Sequence, residues 1–353
     1  MDKVNLIAMD VHCRTTTLAS MTPGGKLRPP LTVPTTLPHL RAAIQAVPRP
    51  RVVVMEEGMM ADWLYRNLRA HADQVIVCDP RRNALIAKDG DKDDPIDTAK
   101  LLQLARGGFL RPVHHPETQS RAILKHLVAA YYQRVELRVA LANQLLGYLK
   151  QWGIVIRERQ LADAQDRAVW RKALPPSATV TQQLEMFLKL YDAAARQVQT
   201  LRRRLARVTR DNPVIQRFKQ IPGIKTVRAA TLYVYLDTPF RFKTKQALWK
   251  YMGIGLVRRH SGAGPERLGV PVACHRRLKA VILGAAQSAI QSKNDNPFAQ
   301  IYQRSLKHGK TPRIARRDTA RAHAAVVWGI WKSNRDYRPD LVGIPAGLQD
   351  RRS

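Results

Sequence analysis

The stretch Lys92-Asp93-Asp94-Pro95-Ile96-Asp97 opens a predicted helix that continues through Thr98-Ala99-Lys100-Leu101-Leu102. Asp94 and Asp97 stand three apart, so on a helix both carboxylates project from one face. Two carboxylates held together repel each other unless a cation lies between them. Two more acids stand where apolar runs end: Asp10 after Val4–Met9, and Glu56 after Val52–Met55. Taken singly, each reads as a capping or solvated residue, and Asp94 as an N-cap beside Pro95. Taken jointly, two strand-end acids and an Asp-x-x-Asp pair read as an oxygen-only ligand set. Such a set suits Mg2+, or Mn2+, and not zinc, and ions so held serve phosphoryl transfer. Glu56-Glu57-Gly58 leaves open which of the two glutamates is the ligand.

Working outward, residues 1–112 read as an α/β domain. Val4–Met9 and Thr15–Ser20 are strands, Gly24-Gly25 turns into a third, Leu37–Val47 has helical spacing, and Val52–Met55 is a buried strand. Ala61–Ala70 is an amphipathic helix and Val75–Cys78 another buried strand closed by Asp79-Pro80. Hairpin strands followed by alternating helices and strands give a mixed sheet. Ligands of such sheets collect at the carboxyl ends of strands, where Asp10 and Glu56 sit.

The charge narrows the partner. Lys and Arg number 60 against 27 Asp and Glu, a formal net charge of +33 spread along all 353 residues, so the expected partner is a polyanion bound with steep salt dependence. An acidic membrane is the alternative, but no apolar run reaches about 18 residues, so no spanning helix is expected. The N-terminal residues lack the apolar core of a signal peptide, and three cysteines (Cys13, Cys78, Cys274) fit no metal or disulfide spacing. The expected location is the cytoplasm.

Residues 113–210 read as a helical arm. Arg111–Pro116 is a predicted linker, with His114-His115 as linker rather than metal ligand. Apolar residues from Ile123 to Leu149, among them Leu137, recur at threes and fours, which predicts one long helix. Leu161–Leu174 reads as irregular, and a second helix runs from about Thr181 to Arg210. The two form an antiparallel hairpin, as a coiled-coil arm or as a bundle packed within one chain. Residues 211–335 are mostly helical. They carry an apolar-Pro-Gly-apolar turn, Ile221–Ile224, then Arg258-Arg259-His260-Ser261-Gly262, where arginines and glycine suit close approach to a phosphate. Arg304, Lys307, Lys310, Arg313, Arg316 and Arg317 form a predicted phosphate-contacting surface ahead of an apolar helix, Ala322–Trp331. The tail, 336–353, reads as irregular.

The order Asp, Glu, Asp-x-x-Asp, with Met9–His12, Val75–Pro80 and Lys92–Asp97 around it, resembles the DEDD-type, RuvC-like insertion-sequence transposases. That group is similar to the pilin-gene inverting recombinases and to bridge-RNA-guided recombinases. The resemblance covers residue 4 to about 332. It implies a RuvC/RNase H-like mixed sheet, a coiled-coil arm, and a mostly α C-terminal domain with a helix-hairpin-helix-like turn at Gly223. It further implies Mg2+ (or Mn2+) at Asp10, Glu56, Asp94 and Asp97, and Ser261 as the nucleophile forming a phosphoserine link to DNA. Gly223, Arg258, Arg259, Arg313, Arg316 and Arg317 would contact nucleic acid. DNA (element ends and target), in some relatives a structured guide RNA, and a homo-dimer or homo-tetramer complete the expectation. Two departures stand out: Glu57-Gly58 replaces the group's Glu, Thr or Ser, Gly pattern, and Ala273-Cys274 stands where a Gly is common. Competing readings are a junction-resolving or RNase H-type nuclease that uses metal-activated water and no serine, and a basic scaffold without activity.

Overall fold

A computed structural model describes residues 3–80, 94–116, 118–259 and 267–343. The chain divides into two compact units, Met1–Ala122 and Ile123–Ser353.

The first unit is built on five strands: β1 (Asn5–Val11), β2 (Thr15–Met21), β3 (Leu27–Pro34), β4 (Arg51–Glu56) and β5 (Gln74–Cys78), in the spatial order β3-β2-β1-β4-β5. β1, β2 and β3 form an antiparallel meander, while β1–β4 and β4–β5 pair in parallel. The mixed sheet expected from the sequence is therefore present. Side chains alternate across it. Leu6, Ala8, Val52, Val54, Ile76 and Cys78 pack on one face beneath Leu101, Leu102 and Ala105 of α3 (Asp94–Arg106). Ile7, Met9, Val53, Met55 and Val77 pack on the other beneath α1 (Leu37–Gln45) and α2 (Ala61–Leu68). Strands buried on both faces read as unbroken apolar runs, which is why the acids ending them stand out. The predicted linker is a correction: Val113 N–H donates to Val77 C=O (2.7 Å) and Asp79 N–H to Arg111 C=O (3.1 Å), tying this segment to the end of β5.

The second unit is helical. α4 (Gln119–Gln151) spans 33 residues, roughly 50 Å at 1.5 Å per residue. No single core is that long. Val128 joins the main core, Leu145 and Leu149 join a separate distal one, and Leu137 between them is 42% exposed. The predicted single stripe is thus shared between two cores. The segment expected to be irregular contains a helix, α5 (Ala164–Ala173). Asp163 caps it by accepting from Gln165 and Asp166 N–H groups, and Trp170 is buried. Arg167 makes two hydrogen bonds to Asp192 (2.7 and 2.8 Å) on α6 (Ala178–Val208). These partners lie far along the chain, so local sequence does not announce the helix. Residues 144–151 of α4 face 183–190 of α6, and Ala130 and Arg134 face Ala193–Leu201, so the two run antiparallel.

The main core is completed by α7 (Pro213–Gln220), α8 (Thr226–Leu236), α9 (Lys245–Tyr251), α10 (Arg276–Ile290), α11 (Pro297–Lys307) and α12 (Pro312–Ser333), with a small hairpin of β6 (Val257–Arg259) and β7 (Arg267–Gly269). The predicted apolar closing helix is the second half of α12. At the Pro222-Gly223 turn, Gly223 has φ +82°, and a Cβ there would lie 2.2 Å from the Ala285 carbonyl oxygen on α10. The turn is held by Arg228, which donates to Gly223 C=O (2.5 Å), and by buried His323, whose Nε2 lies 2.9 Å from Pro222 C=O. Gly223→Ala combines a left-handed backbone with a backbone clash. It should lower unfolding free energy by about 2–4 kcal/mol, read from urea midpoints at constant m-value; a loss below about 0.5 kcal/mol would show that α10 gives way.

Candidate metal centre and nucleic-acid interface

Strand register positions the acids. β1 and β4 pair up to Met9↔Met55, so Asp10 and Glu56 are the next step on adjacent strands, about 4.8 Å apart in backbone. Following Ala8 and Val54, both belong to the face that α3 covers. α3 begins at Asp94, with Thr98 Oγ donating to Asp94 and Pro95 carbonyls (3.0 Å each) in its first turn.

The ligand atoms of Asp10, His12 and Asp94 lie within 4.8 Å of one another, the one such group among the described residues. His12 Nε2 is 3.1 Å from Asp10 Oδ2 and 3.5 Å from Asp94 Oδ1. Burial, and the nearby Asp94 carboxylate, raise the Asp10 carboxyl above its ordinary value against the pull of His12. The charge of Asp10, aided by Asp94, raises His12. An imidazole lying between two repelling carboxylates marks where a cation is favoured. Two carboxylates and one nitrogen fit Mn2+ and accept Mg2+. Glu56 and Asp97 are exposed and their carboxylates stand outside this group, although Asp97 shares α3 with Asp94 and Glu56 ends β4, the strand beside β1. His12 was not among the predicted ligands. Its signal was present, since Asp10 lies near the end of β1 and His12 just beyond it, two residues apart, the spacing that keeps side chains on one side of extended backbone.

Glu57 takes the opposite face. Its N–H extends the ladder to Cys78 C=O (2.9 Å), and its Oε2 lies 3.3 Å from His115 Nε2. His115 is buried, its Nδ1 bound to Asp62 Oδ1 on α2, its ring beside Tyr65. Burial alone would push His115 down, but Asp62 and Glu57 outweigh it and raise it. The Glu57 contact lacks hydrogen-bond alignment and is an ion pair.

Of the predicted nucleic-acid residues, Arg313, Arg316 and Arg317 open α12. Burial and then its neighbours Arg313 and Arg316 hold the Arg317 guanidinium below its usual value. The adjacent acid, Asp318, is already engaged by Lys310 (2.7 Å) and Arg321 (2.9 Å). Crowded cations whose local acid is committed elsewhere favour an anion. Gly223 is half-buried against α10, where packing alone demands glycine. Arg258 and Arg259 lie on β6 with backbones paired to Leu268 and Arg267, whereas Ser261 lies outside the described residues, in the connection between β6 and β7. A stretch not singled out from sequence is the exposed end of α6, where Arg202, Arg203, Arg204, Arg207 and Arg210 follow one another with no acid between Asp192 and Asp211.

Comparison with known proteins accounts for both blocks. A family model for DEDD transposases of the IS110 type matches residues 7–154, which include all four predicted acids. A second, for transposases of the IS116/IS110/IS902 family, matches residues 215–303, which include Gly223 and Ser261. The chain is 25% identical over 296 residues to a Sinorhizobium fredii protein named as a putative transposase, y4pF/y4sB, covering 82% of this chain and 75% of the relative. It is 20% identical over 297 residues to the transposase for insertion sequence element IS1111A of Coxiella burnetii, covering 81% and 79%. Both blocks and both relatives thus point to one class, the transposases, and within it the chain resembles the IS110/IS116/IS902 family. No helix among the described residues is long and apolar enough to cross a membrane.

The electrostatics of the acid group make a prediction. An acid whose folded pKa lies above its unfolded value destabilises the fold as pH rises past 3.8. Asp10→Asn should therefore raise the metal-free melting temperature at pH 7 and have no such effect at pH 3. Mg2+ at ~100 times its Kd should stabilise the wild-type fold by about 2.7 kcal/mol, and Asp10→Asn should lose that response in the same thermal scans.

Proposed function

We propose that this transposase cuts and rejoins the DNA strands of an insertion sequence through a serine–phosphate intermediate at Ser261, assisted by Mg2+ (or Mn2+) at Asp10, Glu56, Asp94 and Asp97 of a RuvC-like domain. The observation that supports this most is the convergence of Asp10 and Asp94 at strand and helix ends on one sheet face, with Glu56 next in register. A divalent cation there would neutralise charge building on the phosphate oxygens. The chain's own part is positional. Asp10 and Glu56 are held by a sheet buried on both faces, and α3 delivers Asp94 and Asp97 to it. Attack by Ser261 Oγ forms an O–P bond as one sugar oxygen leaves, and the Oγ proton must pass to a base or to that leaving oxygen. Energy is conserved in the ester, which a sugar hydroxyl of the joining strand then attacks in reverse. DNA ends and target are the substrates, a homo-dimer or homo-tetramer the assembly, and an element-encoded structured RNA a further polyanion that the charge suits.

A nuclease that activates water needs only the acids, and the acid group indeed lies wholly in the first unit. Ser261→Ala separates the two. On end-labelled element DNA with any co-purifying RNA, the recombinase loses both cleavage and a denaturation-resistant adduct mapped to Ser261, whereas a nuclease keeps cutting. Asp97→Asn should abolish cleavage while DNA affinity, by filter binding, stays unchanged or rises. Replacing Arg313, Arg316 and Arg317 together with Gln should instead weaken DNA binding at all sequences. It should also flatten the log K against log salt slope by about 2–3 units, roughly 0.9 for each phosphate no longer neutralised; an unchanged slope would remove this cluster from the interface.

A further inference from the structure

The β4 strand ends in two consecutive glutamates, and a third acid, Asp62, follows on α2. Three acids this close repel one another, and either glutamate has the chemistry to serve the metal centre. The side chain that divides them is His115. It is 3% exposed, with Nε2 3.3 Å from Glu57 Oε2 and Nδ1 on Asp62. Because the two ring nitrogens face carboxylates on opposite sides, the three groups do not converge on one point as metal ligands would. They form a chain from strand end to helix.

The residues carrying His115 are themselves anchored to β5, through Val113 N–H to Val77 C=O and the Arg111–Asp79 backbone pair, while Glu57 N–H is bonded to Cys78 C=O. The backbone on both sides of the ion pair is thus fixed to the same sheet edge. With Glu57 drawn to the α2 face, strand alternation turns Glu56 to the α3 face beside Asp10.

We propose that His115 is a positioning residue for the metal centre: by holding Glu57 and Asp62 on the back of the sheet, it commits Glu56, and not Glu57, to the face that carries Asp10 and Asp94. The proposal rests on the metal reading above. It acts at one remove, as outer-shell partners of metal ligands do, whose loss weakens metal binding by about 10–100-fold.

Mn2+ binding to the full-length, DNA-free protein, followed by the loss of the free-ion EPR signal, tests it without relying on turnover. His115→Ala should weaken Mn2+ at least about tenfold, and in a Glu56→Gln background the same change should have no further effect. Glu57→Gln, which breaks the ion pair with little loss of volume, should weaken Mn2+ in the same direction and serves if His115→Ala does not fold. Wild-type affinity in both single variants, with circular dichroism unchanged, would overturn the proposal, as would an equal loss in the Glu56→Gln background, which would mean general loosening. Asp10→Asn tells the two readings apart. If it weakens Mn2+ while the His115 and Glu57 variants do not, only the positioning role fails; if it leaves Mn2+ binding untouched, the metal centre fails and takes the positioning role with it.

Discussion

The alternation of side chains along β1 and β4 governs the rest of this structure. Both strands are buried on both faces, so a one-residue slip would carry every apolar side chain to the wrong core. That constraint fixes more than packing. Asp10 lies two residues beyond Ala8 and Glu56 two beyond Val54, so the register that seals the core under α3 also sets two carboxylates side by side at its rim. Glu57, one residue further on, is sent to the other face, where His115 and Asp62 receive it. The acid group is thus the polar end of a hydrophobic arrangement, and its placement comes from packing rather than from the acids themselves, which repel.

Much of this was legible in the sequence, for a physical reason. Doubly buried strands need continuous apolar runs, so Val4–Met9 and Val52–Met55 announce themselves and their terminal acids stand out. The choice between Glu56 and Glu57 was not legible, because it depends on which residue of β4 lies beside Ala8, and pairing is a long-range fact. His115 was hidden for the same reason. Flanked by Pro112 and Pro116, its segment has the composition of a linker, and only the hydrogen bonds to β5 make it part of the sheet edge. α5 shows the converse. Its sequence is polar because Arg167 pairs with Asp192 of α6 in a part-buried bridge and Arg171 with Glu185 at the surface. The α4 stripe is helical, as its spacing says, yet its continuity conceals that two separate cores share it.

The charge balance links the acids to the arginines. With +33 overall, the chain attracts a nucleic-acid backbone from any direction, and the α12 cluster and the end of α6 add local cations whose nearby acids are committed or missing. Around Asp10 and Asp94 the local sign is reversed, and on the proposed reading a phosphate approaching those carboxylates would be repelled until a divalent cation is bound there. On that reading cation and phosphate binding at that point would be coupled, and by linkage each would strengthen the other by the same factor. The arginines would then supply affinity that is indifferent to position, and the acid rim would admit a phosphate only where metal is held. In a chain this basic, it is then the small negative patch, and not the large positive surface, that would distinguish one phosphate from the next.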